Sequence, residues 1–192
     1  MKILKIIALT LAVFSAAACS TNHSNYEKIV DVQDGKIINA SYIQWNKDYA
    51  VTAKHNLYPQ NPDYVSNTLD LAFFKHPADK KFDASIVWRN PSIDEELTHV
   101  GSSQNQVTLS RNGQFINQPI LYNGGEYAVS SATTFKGMSG GPVYSIDKQS
   151  ILGMSVANGK NANINGVNYP NIALFIQTDS IEKEWEKFQN SK

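Results

Sequence analysis

From residue 36 to residue 178 the chain is a succession of short runs rich in β-formers, each closed by Gly, Asn, Asp or Pro. That texture excludes a βαβ array, because parallel strands need long crossovers of helical period between them. The runs "KIINASYIQW" and "YAVTAKH" flank the turn-forming cluster "NKD", which predicts a hairpin. Further β-like runs are "TLDLAFFK", "SIVWR", "ELTHVGSS", "QVTLS", "QFINQPILY", "EYAVSSATTF", "GPVYSI", "SILGMSV" and "NIALFIQT". So many short strands at close spacing predict an all-β chain, either a sandwich or a pair of barrels. Only "DSIEKEWEKFQ" reads as helix: Asp179 and Glu182 form a capping-box-like start, and Ile181, Trp185 and Phe188 recur at helical spacing. That apolar stripe is expected to dock on the β body, with Trp45, Trp88 and Trp185 as core or docking groups. At 192 residues there is room for one globular unit or two small packed halves.

The first nineteen residues, "MKILKIIALTLAVFSAAAC", have a different character: Lys2 and Lys5, an apolar run from Ile6 to Phe14, then small residues up to Cys19. This is the layout of a secretory signal, too short for an ordinary membrane span. Residues 1–18 are therefore read as a signal peptide, and 19–35, polar and without period, as a tether. The only cysteine stands where the signal would be cut. The segment resembles the lipobox of bacterial lipoproteins, which implies lipidation of Cys19 and a membrane anchor, with Ser20 implying outer-membrane sorting. "AAAC" carries Ala16 where that pattern commonly has leucine. The alternative is a plain cut after Ala18 that leaves a free thiol and a periplasmic protein, with secretion a further option. A lone cysteine allows no intramolecular disulfide, so stability must come from packing.

With 17 basic and 17 acidic side chains the formal charge is zero, so no electrostatic footprint for nucleic acid exists. No cluster of His, Cys or acids has metal-ligand spacing, so no metal and no cofactor are expected. His23 falls in the tether, and His76 and His99 lack a partner motif, so all three read as surface residues.

"TFKGMSGGPVYS", residues 134–145, sets Ser139 among glycines. Gly137-Met138-Ser139-Gly140-Gly141 fits the G-x-S-x-G elbow of α/β-hydrolases, but there the histidine follows the serine. Here His23, His55, His76 and His99 all precede it. A second arrangement needs the order histidine, aspartate, serine. "VTAKH" ends at His55 and "LDLAFF" contains Asp70, both ahead of Ser139. A serine hydroxyl attacks poorly until a base takes its proton, which suits His55; an aspartate on the other ring nitrogen, Asp70, would fix the tautomer. Asp63, Asp79 and Asp83 are weaker candidates because none opens a "DLA" run. Gly137 allows a turn without a Cβ, so the N–H groups of Gly137 and Ser139 could converge as an oxyanion hole. Gly140 and Gly141 would permit close passage of neighbouring chain before Pro142.

Taken together, "VTAKHN", "LDLAFFK" and "GMSGGPV" resemble the three motifs of trypsin-like serine peptidases of the chymotrypsin fold, over roughly residues 36–185. The resemblance implies two packed six-stranded-type antiparallel β-barrels with a C-terminal α-helix, the first half at 36–98 and the second at 99–192. It implies a monomeric serine endopeptidase with His55, Asp70 and Ser139 as triad, acting on a protein or peptide substrate. The rival reading is a catalytically silent relative serving as a surface binding or immunity lipoprotein.

Two departures matter. Met138 stands where trypsin has the aspartate that receives a newly cut N-terminus, so "KIVDV" at 28–32 is not expected to act as an activation junction through Ile29. Asp70 follows His55 by only 15 positions, which implies a trimmed first barrel. By the family pattern, Thr133 and Thr134 would form the base of the primary substrate pocket, and Val156, Ala157 and Asn158 its wall. That base has no carboxylate, so a preference for Lys or Arg is not implied; small, polar and acidic side chains stay open.

Overall fold

The structure is a computed structural model that describes residues 25–33, 36–56, 61–103, 105 and 107–192. The expected signal peptide, Cys19 and His23 lie outside the described residues. The first sheet contains β1 (Tyr26–Gln33), β2 (Lys36–Gln44), β3 (Tyr49–Thr52), β4 (Tyr64–Val65) and β5 (Ala72–Lys75). Its order is β1-β2-β3-β5-β4, antiparallel throughout. The predicted hairpin around "NKD" is β2–β3, where Asn46 Oδ1 accepts from the N–H groups of Asp48 and Tyr49 and so shapes the turn. Residues 19–35 were expected as a tether, yet Tyr26–Gln33 is β1 and pairs with β2 along its whole length. Its apolar residues, Tyr26, Ile29, Val30 and Val32, do not alternate strictly, so the run carries no clear strand period.

The remaining strands are β6 (Val87–Trp88), β7 (Glu96–Ser102), β8 (Thr108–Tyr122), β9 (Gly125–Ser130), β10 (Pro142–Ser145), β11 (Ser150–Ile164) and β12 (Val167–Gln177), followed by helix α1 (Thr178–Asn190). Strands β7, β8, β9, β12, β11 and β10 pair in that order, and β10 also pairs with β7. The ring is a closed six-stranded antiparallel barrel, which leaves no free edge. Strand β6 adds to β11 outside the ring, in parallel. The fold is therefore an all-β, chymotrypsin-like double barrel with a C-terminal helix. The first sheet has five strands where six were expected, and β7 crosses the expected boundary at 98/99 to join the second barrel.

Two features of the second barrel follow from turn chemistry. The β8–β9 hairpin closes on Asn123-Gly124 and β11–β12 on Asn165-Gly166, and all four residues have positive φ. Two central residues at positive φ define the type I′ turn, whose twist matches the flanking strands. The Asn165-Gly166 turn explains why β11 and β12 run well past their apolar segments into the Asn-rich stretch 158–171, where β-propensity is low.

One apolar core joins the halves, with Ile43, Val51 and Phe73 from the first and Val100, Tyr144 and Ile151 from the second. Helix α1 completes it. Ile181 and Phe188 are buried, and Trp185 packs edge-on to Phe73 and beside Trp45, which itself meets Trp88. The predicted capping box is not made: no side chain caps the helix from within, and Asn90 Oδ1 accepts from the Asp179 N–H instead. The cap is supplied across the structure, out of reach of a local pattern.

Glu184 faces inward on α1 and is buried. Burial on its own raises its pKa, but Lys187, Ser66 and Tyr64 outweigh that and hold the carboxyl below the ordinary glutamate value. A depressed carboxyl contributes stability that is complete above its unfolded-state pKa and is lost as pH falls through the folded value. Glu184→Gln is therefore expected to flatten the decline of the urea midpoint between about pH 5 and 3. An unchanged slope would show that Glu184 carries none of the acid sensitivity.

Candidate active site

His55 sits in the 3-10 turn Lys54–Asn56, which leaves β3 and closes with the Asn56 N–H donating to the Ala53 carbonyl at 2.9 Å. Asp70 comes from a separate loop that folds back on itself. Ser66 Oγ accepts from the N–H groups of Thr68 and Leu69, and the Ser66 N–H donates to the Leu71 carbonyl. Leu71, Ala72 and Phe73 are fully buried, so "LAF" anchors the loop and Asp70 stands one residue outside the core.

The two side chains meet. His55 Nδ1 lies 2.5 Å from Asp70 Oδ2, and the His55 N–H donates to Asp70 Oδ1 at 3.0 Å. The Asp70 side chain keeps 20% exposure against 49% for His55. Burial raises the Asp70 pKa, but the hydrogen bonds and charge of His55, with Lys54 nearby, hold it below the usual aspartate value. An ionised Asp70 fixes the proton on Nδ1 and leaves Nε2 free to accept one. The weaker candidates Asp63, Asp79 and Asp83 accept from the backbone N–H groups of Lys75, Lys81 and Ser85.

Ser139 stands on a tight turn between β9 and β10. The Met138 N–H donates to the Phe135 carbonyl with Gly137 third in the turn at φ 97°, a type II pattern that calls for glycine. Gly140 has φ 86° and lies so close to the first barrel that a Cβ would overlap the Ser41 carbonyl oxygen; one on Gly141 would overlap that of Val100. Both glycines thus permit the close passage expected of them. Met138 is fully buried, and Ile29 lies in the middle of β1, paired with Ala40.

His55, Asp70 and Ser139 line one cleft of about 390 Å³. Within it the Ser139 hydroxyl donates to the Val156 carbonyl oxygen at 2.7 Å, not to His55. The N–H groups of Gly137 and Ser139 donate to no protein acceptor among the described residues. Of the residues expected to form the substrate pocket, Thr134, Val156, Ala157 and Asn158 line the cleft, and Asn158 Nδ2 donates to the Thr134 carbonyl at 2.9 Å. Thr133 does not line it: successive residues of an extended segment face opposite ways, and Thr134 takes the inward place.

Several residues of this site were not read from the sequence. The carbonyl of Ser139 accepts from Asn56 Nδ2 at 2.8 Å and from the Ser41 N–H at 3.2 Å, so both donors reach it from the first barrel. The fully buried Ser41 hydroxyl donates to the Gly137 carbonyl and accepts from the Ser102 N–H. The Tyr127 hydroxyl accepts from the Asp70 N–H. Tyr122, Asn123, Phe135 and Lys136 add to the cleft wall. Asn56 closes "VTAKHN" and Phe135 and Lys136 lie in "TFKGMSGGPVYS", whereas Ser41, Tyr122, Asn123 and Tyr127 lie in none of the stretches that carry the triad.

Two histidines expected at the surface are engaged instead. His99 is fully buried, with its ring nitrogens against Ser155 Oγ at 2.7 Å and Ser130 Oγ at 2.8 Å. Burial pushes its pKa down to about 3, so it is neutral, with one ring nitrogen donating and the other accepting. His76 is held between Tyr42 and Gln44. Alternation along β7 turns His99 inward, which no motif signals.

No family model matches the chain, and no curated protein matches it by sequence. Among solved structures it is similar to the inactive form of a serine-to-alanine mutant of Rv3671c from M. tuberculosis H37Rv. The match has a TM-score of 0.64 at 10% sequence identity and covers 99% of this chain and 98% of that one. At that identity the likeness establishes the fold alone, the chymotrypsin-like double β-barrel.

Proposed function

We propose that the protein is a serine endopeptidase in which Ser139 is the nucleophile, His55 the general base and acid, and Asp70 the residue that orients His55. The observation that carries this reading is the meeting of the three side chains in one cleft, with both Asp70 oxygens committed to His55. Ser139 Oγ first turns from the Val156 carbonyl toward His55, a rotation about one side-chain bond between staggered wells. It then adds to the scissile carbonyl carbon as His55 Nε2 takes the hydroxyl proton. The carbonyl oxygen becomes an oxyanion, and the N–H groups of Gly137 and Ser139 are the donors available to it, each worth about 3 kcal/mol to such a state. Collapse breaks the C–N bond, His55 gives its proton to the leaving amine, and an ester remains on Ser139. Water, deprotonated by His55, adds to that ester, and the acid departs as Ser139 regains its proton.

The exported setting belongs to the same reading and rests on the sequence of residues 1–19, with Cys19 as lipid anchor. The mass of the N-terminal peptide of protein purified from the producing cell distinguishes a lipidated Cys19 from a free thiol.

One observation favours the silent binding module: the Ser139 hydroxyl is bonded away from His55. A fluorophosphonate probe separates the two, because it reacts only with an activated serine. The expected result is labelling of the folded protein that is absent from Ser139→Ala. No labelling of folded wild-type protein would overturn the peptidase reading and leave the binding module.

A further inference from the structure

We infer that the cleft selects an acidic side chain, Glu or Asp, at the residue immediately before the cleaved bond, with Lys136 as the group that recognises it. This rests on the peptidase reading and adds a substrate class to it.

The inference comes from the charges of the cleft wall. Besides His55, two side chains of the charged types line it, Asp70 and Lys136. Asp70 is committed to His55 through both carboxylate oxygens. Lys136 is exposed and has no ion pair or hydrogen bond with any described residue, so its ammonium offers three donors to whatever enters. A second cation stands behind the same stretch. The Arg111 guanidinium lies 4.9 Å from the ring centre of Phe135, which also lines the cleft, and Arg111 has no carboxylate partner among the described residues. His99 adds no charge, being neutral behind Ser155.

The neutral groups are permissive. Asn158 spends one N–H on the Thr134 carbonyl, keeps a second, and so holds that carbonyl away from an incoming donor. An amide can serve a carboxylate, a carboxamide or a cation, so the wall's polarity alone does not decide among them. The free charge does. A lysine or arginine side chain would meet like charge and no uncommitted carboxylate, whereas a carboxylate, which only accepts, meets an unpaired ammonium beside an amide donor. A cleft of about 390 Å³ has room for a side chain of that size.

The test uses the full chain and three peptides identical but for Glu, Gln or Lys before the scissile bond, with the fluorophosphonate probe run in parallel. Cleavage after Glu is expected to exceed that after Gln by roughly five- to tenfold in kcat/KM, as for a partly exposed charge pair, with Lys poorest. The Glu over Gln ratio should shrink as salt is raised, because exposed charges are screened. It should fall to about one in Lys136→Gln and invert in Lys136→Glu. Labelled protein that cleaves after Gln or Lys as well as after Glu overturns the inference and leaves the peptidase reading standing. A Glu preference that survives unchanged in Lys136→Gln overturns the role of Lys136. Protein that neither labels nor cleaves overturns both readings.

Discussion

Ser139→Ala is expected to lower kcat/KM for peptide cleavage by about four orders of magnitude or more, and His55→Ala by a similar factor. The size follows from the division of labour: without the hydroxyl there is no acyl-enzyme, and without the imidazole the hydroxyl keeps its proton. The two side chains act as one unit, so the double variant should be no slower than either single one. Multiplying losses would show that they act separately. Stability should barely move. His55 is half exposed, and the bond from Ser139 to the Val156 carbonyl is a single neutral hydrogen bond worth about 1 kcal/mol. Equal midpoints in urea, beside lost turnover, separate a chemical role from a structural one.

Gly140→Ala carries the second large effect, and it falls on the fold. At φ 86° an alanine is strained, and its Cβ would also overlap the Ser41 carbonyl oxygen and press on Thr52 Oγ1. Neither of those atoms is the end of a flexible side chain: one is backbone, and the other is fixed by its own bond to Ser41. The expected cost is about 3 kcal/mol or more. Gly124→Ala provides the control. Its φ is 84°, almost the same, but nothing lies within 4 Å of the added carbon, so it should lose only about 1 kcal/mol. The difference between the two variants reads the close approach of the barrels free of backbone strain. Equal losses would show that the contact with Ser41 contributes nothing. Since Ser41 and Asn56 hold the Ser139 carbonyl, Gly140→Ala should lose probe labelling as well, while Gly124→Ala keeps it.

The β character of the chain was legible because turn residues punctuate it so densely; the spacing left sandwich and barrels open, and the barrel was implied only by the resemblance of the three motifs. The elements missed share one physical cause. Strand β1 lacks strict alternation and the outer parts of β11 and β12 are polar, so hydropathy period cannot separate them from linkers; what fixes them is pairing with a neighbour. At the cleft, His55, Asp70 and Ser139 could be named because each sits in a short motif whose chemistry is local. Ser41 and Tyr127 could not, and the role of Asn56 was hidden although it closes "VTAKHN", because each acts on a partner dozens of residues away, as Asn56 does on the Ser139 carbonyl. His99 was misplaced for the same reason: its two serine partners come from β9 and β11.

Phe73 and Trp45 of the early sheet are covered by Trp185, and Phe73 also by Phe188, more than a hundred positions downstream. A nascent polypeptide that has emerged only as far as the first barrel therefore has an open aromatic surface and cannot finish that half. Both halves must mature together once α1 is available, a long-range closure of the kind that slows folding. The cleft lined by His55, Asp70 and Ser139 draws on both halves, so it takes shape only after α1 has been made.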